Sequence, residues 1–267
     1  IYSINVESFA ELDIIRKIAQ EKSKKANVSI RINPDYDAFG AGIKMSGGST
    51  QFGIDYEQLM EGIANMGNTP HINLIGIHVY MGTQILNADN IVSIMDKIFE
   101  MALSMQTGTG INLEFIDLGG GFGVPYFTND HQLDLLELKS GTEKVWHKYR
   151  DKFCNTRIAV ESGRFLLAES GKFFSKVLYC KHSKDRSYIV CDGGSNFHAN
   201  SAFLGRHIRN NFPMSILGKE NEPLFEATVV GPLCTPTDVI GQRVMLPKAE
   251  PGDYLVVEKS GAYGLTN

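Results

Sequence analysis

The feature that most constrains this 267-residue chain is an alternation running from its start to about residue 165. Short apolar runs rich in β-branched residues are each followed by a longer segment of helical period, the mark of a parallel α/β architecture. Strands are predicted from Ile1 to Asn5, Val28 to Ile32, Ile72 to Val79, Leu113 to Asp117 and Arg157 to Glu161. Ser8-x-x-Glu11 has the form of a capping box, and it opens a helix whose Phe9, Leu12, Ile15 and Ala19 share one face. Asp55-x-x-Gln58, the stretch from Ala88 to Met105 and the stretch from Gln132 to Arg150 predict three further helices.

A doubly wound sheet would give the same periodicity, and the polar residues decide between the two. His78, Gly119-Gly120-Gly121 and Glu161-Ser162-Gly163-Arg164 each fall at or just past the C-terminal end of a different strand. That is where a (β/α)8 barrel builds its active site. A full barrel takes about 250 residues, so this region would supply a partial barrel, with the missing units expected before residue 1. The opening Ile1-Tyr2-Ser3-Ile4 reads as a strand already under way, and Gly261 to Asn267 follows directly on an apolar strand, so the expectation is a chain cut at both ends. After about residue 166 short strands follow one another without helical segments, punctuated by Gly231-Pro232 and Pro251-Gly252-Asp253. The expected organisation is an α/β domain over 1–165 and a β-rich domain over 166–267.

Composition narrows the function classes. With 43% hydrophobic residues, 21% charged residues and a formal charge of -4, the chain can build a core and offers no general electrostatic attraction to nucleic acid or an anionic membrane. Cys154, Cys180, Cys191 and Cys234 are widely spaced, with no metal-type pairing, which fits a reduced, cytoplasmic protein.

Three groups suited to one another converge on the predicted barrel mouth. A glycine turn after a strand exposes amide N–H groups to a phosphate. A carboxylate at a strand end is costly without a cationic or protonated partner, and an imidazole offers a flat face. Taken singly, each has a blander reading: a flexible turn, a structural ion pair with Arg164, a satisfied core histidine. Together they form the set that a pyridoxal phosphate site needs.

The motifs Ile77-His78-Val79-Tyr80-Met81-Gly82-Thr83-Gln84, Ile116 to Pro125 (IDLGGGFGVP), Glu161-Ser162-Gly163-Arg164, Gly231-Pro232-Leu233-Cys234-Thr235 and Gly261-Ala262-Tyr263-Gly264 stand in the order and spacing of another group of proteins. In these, over essentially its whole length, the chain resembles the fold-type III pyridoxal phosphate decarboxylases, the diaminopimelate and ornithine decarboxylase family. The resemblance implies an alanine racemase-like α/β fold, a TIM barrel followed by a β domain. It also implies a carboxy-lyase activity and a homodimer with shared active sites. His78 would stack on the cofactor ring and Glu161 contact its nitrogen. Gly119, Gly120, Gly121 and Gly163 would hold the phosphate, with Tyr263 close by. Arg164, Thr235 and Asp238 would face substrate, and Cys234 would reach the partner's site to protonate Cα.

Two departures from the family pattern bear on function. No lysine stands in a segment matching the family's Schiff-base lysine, since Lys44 and Lys172 are in other contexts. That lysine is therefore expected outside this sequence. Diaminopimelate decarboxylases carry a glutamate where this chain has Thr235, and an arginine at a position aligned with Asn200. Without those charges the site lacks the groups that hold a distal zwitterion. The wording is similar to the branch that decarboxylates L-glutamate held as a thioester on an acyl carrier protein in butirosin biosynthesis, which implies a tethered substrate. Arg206, His207 and Arg209 are candidates to meet an acidic carrier, a solvated patch being as good a reading. The alternatives are a decarboxylase of free amino acids, a non-catalytic regulatory relative, and a phosphate-binding barrel enzyme such as an aldolase.

Overall fold

The computed structural model describes residues 1–34, 43–44, 48–66, 69–127, 129–202 and 211–265. Arg206, His207 and Arg209 lie outside the described residues. The chain divides into two compact units, one formed by Ile1–Val124 with Gln132–Ser162 and the other by Pro125–His131 with Gly163–Asn267.

In the first unit, strands β1 (Ile4–Val6), β2 (Ala26–Asn33), β5 (Ile72–His78), β7 (Phe115–Asp117) and β8 (Arg157–Ala159) pair in that order, all parallel. Three short strands were not legible in the sequence: β4 (Ile54–Asp55), parallel to β2, and the antiparallel pair β3 (Ile43–Lys44) and β6 (Gly82–Thr83). Helices α1 (Phe9–Glu21), α2 (Tyr56–Met66), α3 (Ala88–Thr109) and α4 (Leu135–Tyr149) fill the connections.

Their ends follow local chemistry. Ser8 Oγ accepts from the Glu11 N–H (3.2 Å), while Glu11 reaches back to the Glu7 N–H (2.6 Å). Asn87 caps α3 by accepting from the Asn90 N–H, and Gly110 stops that helix in the left-handed region at φ 71°. Asp134 caps α4 by accepting from the Leu136 and Glu137 N–H groups. Asp55 instead accepts from Asn33 Nδ2 (2.7 Å), which ties the start of α2 to the sheet.

The register of the sheet places the site. Ile30, Ile77, Ile116 and Ile158 lie side by side in one row, and Arg31, His78, Asp117 and Ala159 form the next. Successive residues of a strand point to opposite faces, so the isoleucine row and the row of ionisable residues face opposite ways. Ile30, Ile77 and Ile116 are fully buried, each contributing roughly 1.5–3 kcal/mol of transfer free energy. Ile98, Ala102 and Met105 of α3 are also fully buried, and Phe99 stacks on Tyr149 at 5.2 Å with Phe153 5.7 Å away.

The second unit holds α5 (Gly163–Leu167), a 3-10 turn at Ala168–Ser170, β9 (Phe173–Ser183), β10 (Arg186–Cys191), α6 (Ala199–Ala202), β11 (Met214–Ile216), β12 (Leu224–Val230), β13 (Val239–Pro247) and β14 (Tyr254–Val257). Its sheet runs β11-β14-β9-β10-β12-β13. The pairings are antiparallel except β10 with β12, whose connection runs through α6 and β11. No helix among the described residues is long and apolar enough to cross a membrane.

Candidate active site

Three ionisable residues stand next to one another where the parallel strands of the first unit end. His78 closes β5 and is 5% exposed, with Arg31 of β2 on one side of it in register and Asp117 of β7 on the other. Glu161, two residues past Ala159, brings Oε2 to 3.4 Å from His78 Nε2. That contact is an ion-pair approach without hydrogen-bond geometry, because both ring nitrogens of His78 are buried and make no hydrogen bond among the described residues. A buried polar atom without a partner costs about 1–3 kcal/mol, so the ring is set up for something to be placed against it.

The carboxylates differ in state. Burial pushes the Asp117 carboxyl above its usual range, opposed by the Gly119 N–H and by His78. The imidazole of His78 holds the Glu161 carboxyl below its usual range, opposed by partial burial and helped by the charge of Arg31. Arg31 is itself fixed by Glu7 (2.6 Å) and lies over the rings of Phe52 and Tyr80 at 4.7 and 5.8 Å.

The glycine turn is a packed element and not a flexible one. A Cβ on Gly119 would stand 2.3 Å from the Val79 carbonyl oxygen, one on Gly120 2.2 Å from that of Glu161, and one on Gly121 2.5 Å from that of Gly82. Gly119 and Gly121 also take φ of 67° and 101°, which glycine alone adopts at little cost. Asp117 Oδ1 accepts from the Gly119 N–H (3.0 Å), and the Gly119 carbonyl accepts from the Glu161 N–H (2.8 Å). The N–H groups of Gly120 and Gly121 donate to no acceptor among the described residues, which leaves them for an anion.

The first unit therefore brings together His78, Glu161 and the glycine turn, and adds two residues that sequence reasoning missed, Asp117 and Arg31. Asp117 stands inside the IDLGGGFGVP motif, so its neighbourhood to the glycines was visible. Nothing in the sequence sets Arg31 beside His78, because the register of β2 against β5 decides it. Ligand atoms of His78, Asp117 and Glu161 lie within 4.8 Å of one another, a spacing open to a divalent cation as well as to a protonated ring nitrogen. The adjoining free glycine amides favour a phosphorylated organic group over a bare cation.

In the second unit, Gly163 opens α5 with nothing nearer to a built Cβ than the Tyr263 hydroxyl at 3.6 Å. Arg164 Nη1 donates to the Tyr126 hydroxyl (3.2 Å), and its guanidinium lies 4.7 Å from the Tyr263 ring centre. Tyr263 holds a left-handed φ of 60°. Cys234 is exposed on the loop between β12 and β13, and Thr235 Oγ1 lies 2.9 Å from Thr237 Oγ1. Asp238 is 2% exposed, and its carboxylate accepts from the N–H groups of Ser195 (2.6 Å) and Leu233 (2.8 Å), so it ties two loops together.

A parallel α/β unit whose strand ends carry a glycine turn with free amides, a buried imidazole and a carboxylate 3.4 Å from it has the groups that suit a phosphorylated, nitrogen-containing ring cofactor. The chain belongs to the pyridoxal-dependent decarboxylases: residues 1–168 match the model of the family's pyridoxal binding domain. It is 40% identical over its whole length to the L-glutamyl-[BtrI acyl-carrier protein] decarboxylase of Niallia circulans, covering 63% of that protein. To the diaminopimelate decarboxylase of Helicobacter pylori strain J99 it is 34% identical over 98% of the chain and 62% of the relative. Among solved structures it resembles H. pylori diaminopimelate decarboxylase complexed with L-lysine, at a TM-score of 0.82 and 31% identity over 98% of this chain and 63% of that one. It resembles the enzyme of M. jannaschi at 0.85 and 29%, over 99% and 60%. The α/β fold-type III architecture expected from the motifs is thus the fold of this chain, which spans about 63% of the length of the relative it matches at 40% identity.

Proposed function

We propose that the protein carrying this chain is a pyridoxal phosphate-dependent carboxy-lyase that removes the α-carboxylate of an amino acid held as a thioester on an acyl carrier protein. The observation that carries the cofactor assignment is the imidazole of His78, buried with neither nitrogen hydrogen-bonded and Nε2 3.4 Å from the ionised Glu161, beside the free amides of Gly120 and Gly121.

These residues fit the cofactor. His78 and Glu161 would hold the ring, and Gly119, Gly120, Gly121 and Gly163 the phosphate, with Tyr263 near it. Held there, pyridoxal phosphate would supply an electron sink for loss of the α-carboxylate. Glu161, kept ionised by His78, retains a proton on the ring nitrogen, and Arg31 supports that state by its charge. Asp117 shapes the glycine turn through the Gly119 amide. Arg164, steadied by Tyr126 and Tyr263, orients the substrate, and exposed Cys234 delivers a proton to Cα in the partner subunit's site of a homodimer. Thr235, which brings no charge to the distal end, suits an uncharged thioester, and the relative at 40% identity acts by its name on a carrier-bound glutamyl group. Four free cysteines fit a reducing cytoplasm.

Release of carbon dioxide by the full-length protein, given pyridoxal phosphate and either carrier-bound glutamyl thioester or free amino acids, tests the reading. Release from the tethered substrate alone supports it. Release from free diaminopimelate, the substrate named in relatives at 34% identity, would replace it with the ordinary branch.

A further inference from the structure

The loops that carry Cys234 and Tyr263 are joined, within the second unit, through the segment at residues 193–198, whose Gly193, Gly194, Ser195 and His198 are buried. At one end is Asp238. Its Oδ1 accepts from the Ser195 N–H and its Oδ2 from the Leu233 N–H, one residue before Cys234. The fit leaves no room for a side chain: a Cβ on Gly194 would meet Asp238 Oδ1 at 2.4 Å, and one on Gly231 would meet Oδ2 at 2.4 Å and the Gly194 Cα at 2.3 Å. The loop also closes on itself, with the Gly231 N–H donating to the Asp238 carbonyl and the Asp238 N–H to that of Thr235.

At the other end is His198, 1% exposed and packed between Phe173 (5.2 Å) and Phe212 (5.5 Å). Its Nδ1 accepts from the Ser201 N–H (3.2 Å), so the ring proton sits on Nε2, which donates to Ser260 Oγ (2.9 Å). Ser260 Oγ donates in turn to the Val257 carbonyl (2.8 Å). The same imidazole presses on Gly264, where a Cβ would stand 3.0 Å from Nε2. Tyr263, between the two contacts, holds a left-handed φ that survives only where its surroundings over-determine it. The ends of the segment are locked together because the Gly194 carbonyl accepts from both the Phe197 and the His198 N–H (3.0 Å each). Burial holds the His198 pKa below its usual value, which preserves the one-donor, one-acceptor form at neutral pH.

We propose that residues 193–198 form a brace that sets the Cys234 loop through Asp238 and the Tyr263 turn through His198, making Asp238 and His198 positioning residues that couple the two. The functional weight of this brace rests on the reading given above for Cys234 and Tyr263; its existence does not. Neither residue touches the thiol chemistry directly, so coupling is visible as a change in Cys234 caused from a distance.

The test is the rate of Cys234 alkylation by iodoacetamide in the full-length protein, read by peptide mass spectrometry as a ratio to exposed Cys154 of the first unit. Asp238→Asn can satisfy only one of the two amide donors, and it is expected to raise the ratio by about fivefold or more. His198→Leu keeps the bulk, loses both hydrogen bonds and is expected to raise the ratio about threefold, whereas His198→Gln, which keeps a donor toward Ser260, stays within about twofold of wild type. A ratio within about twofold of wild type for His198→Leu, in protein with a normal unfolding midpoint, overturns the brace, and this variant carries the test if Asp238→Asn does not fold. Cys234→Ser with undiminished turnover would remove the proton-donor reading while leaving the alkylation result to judge the brace.

Discussion

Replacing Gly119 by alanine puts the glycine turn to a quantitative test. Two costs add. A residue with a Cβ at φ 67° pays about 1–2 kcal/mol. The new methyl would stand 2.3 Å from the Val79 carbonyl oxygen, a backbone atom that cannot swing aside as a side chain would. The N–H of the same residue is bonded to the Asp117 carbonyl (3.0 Å), so shifting the Val79 backbone strains the join of β5 with β7. Overpacking of this kind costs typically about 1–3 kcal/mol, giving a sum of roughly 2–5 kcal/mol against a total stability of about 5–15 kcal/mol. At about 2–4 °C per kcal/mol for a domain of this size, the unfolding midpoint should fall by roughly 4–20 °C. The assays are thermal unfolding followed by circular dichroism and titration with pyridoxal phosphate followed by its absorbance. Gly163→Ala is the control: its Cβ meets nothing closer than the Tyr263 hydroxyl at 3.6 Å, and its midpoint should stay within about 2 °C of wild type. If Gly119→Ala unfolds with the wild type and binds the cofactor as well, the turn is not the packed cradle described above.

Other predictions concern charge and packing. Burial raises the Asp117 pKa above 3.8, so ionisation costs the folded state free energy at pH above its folded pKa and none below 3.8. Asp117→Asn keeps an oxygen for the Gly119 N–H and should gain stability relative to wild type as pH rises from below 3.8 to neutrality. A wild-type advantage growing with pH in urea unfolding contradicts this. Glu161→Gln should lower kcat by about 100-fold or more, near 2.7 kcal/mol, while cofactor absorbance persists through the phosphate contacts; loss of less than about threefold in kcat would remove Glu161 from the ring nitrogen. Phe153→Ala, at a fully buried position against Phe99, should cost about 3–5 kcal/mol in denaturant unfolding, and a cost under about 1 kcal/mol would contradict the packing. Cys191, fully buried with its thiol pushed up to about 12, should resist alkylation in native protein while Cys154 reacts, and equal rates by mass spectrometry would refute its burial.

By itself the sequence determined what depends on neighbours along the chain. Ser8 with Glu11, Asn87 with Gly110, and Asp134 set helix ends through contacts within four residues, and the alternation of apolar runs set the α/β order. The glycine triplet, His78 and Glu161 were legible as candidate site residues because each stands at or just past the end of a strand, and the ordered motifs carried the family. The tertiary structure decided what depends on register and on loops meeting across the fold. Arg31 and Asp117 flank His78 only because β2, β5 and β7 pair as they do, and a slip of one residue in any of these strands would turn its side chain to the opposite face. The burial of Asp238, whose carboxylate accepts amides from two separate loops, likewise depends on how those loops meet. The parallel pairing of β10 with β12 also follows from a long connection whose path no local pattern encodes. Propensity and capping act over single turns of chain, whereas the groups that face the site are chosen by non-local hydrogen bonds and close packing, whose partners are fixed only when the strands are side by side.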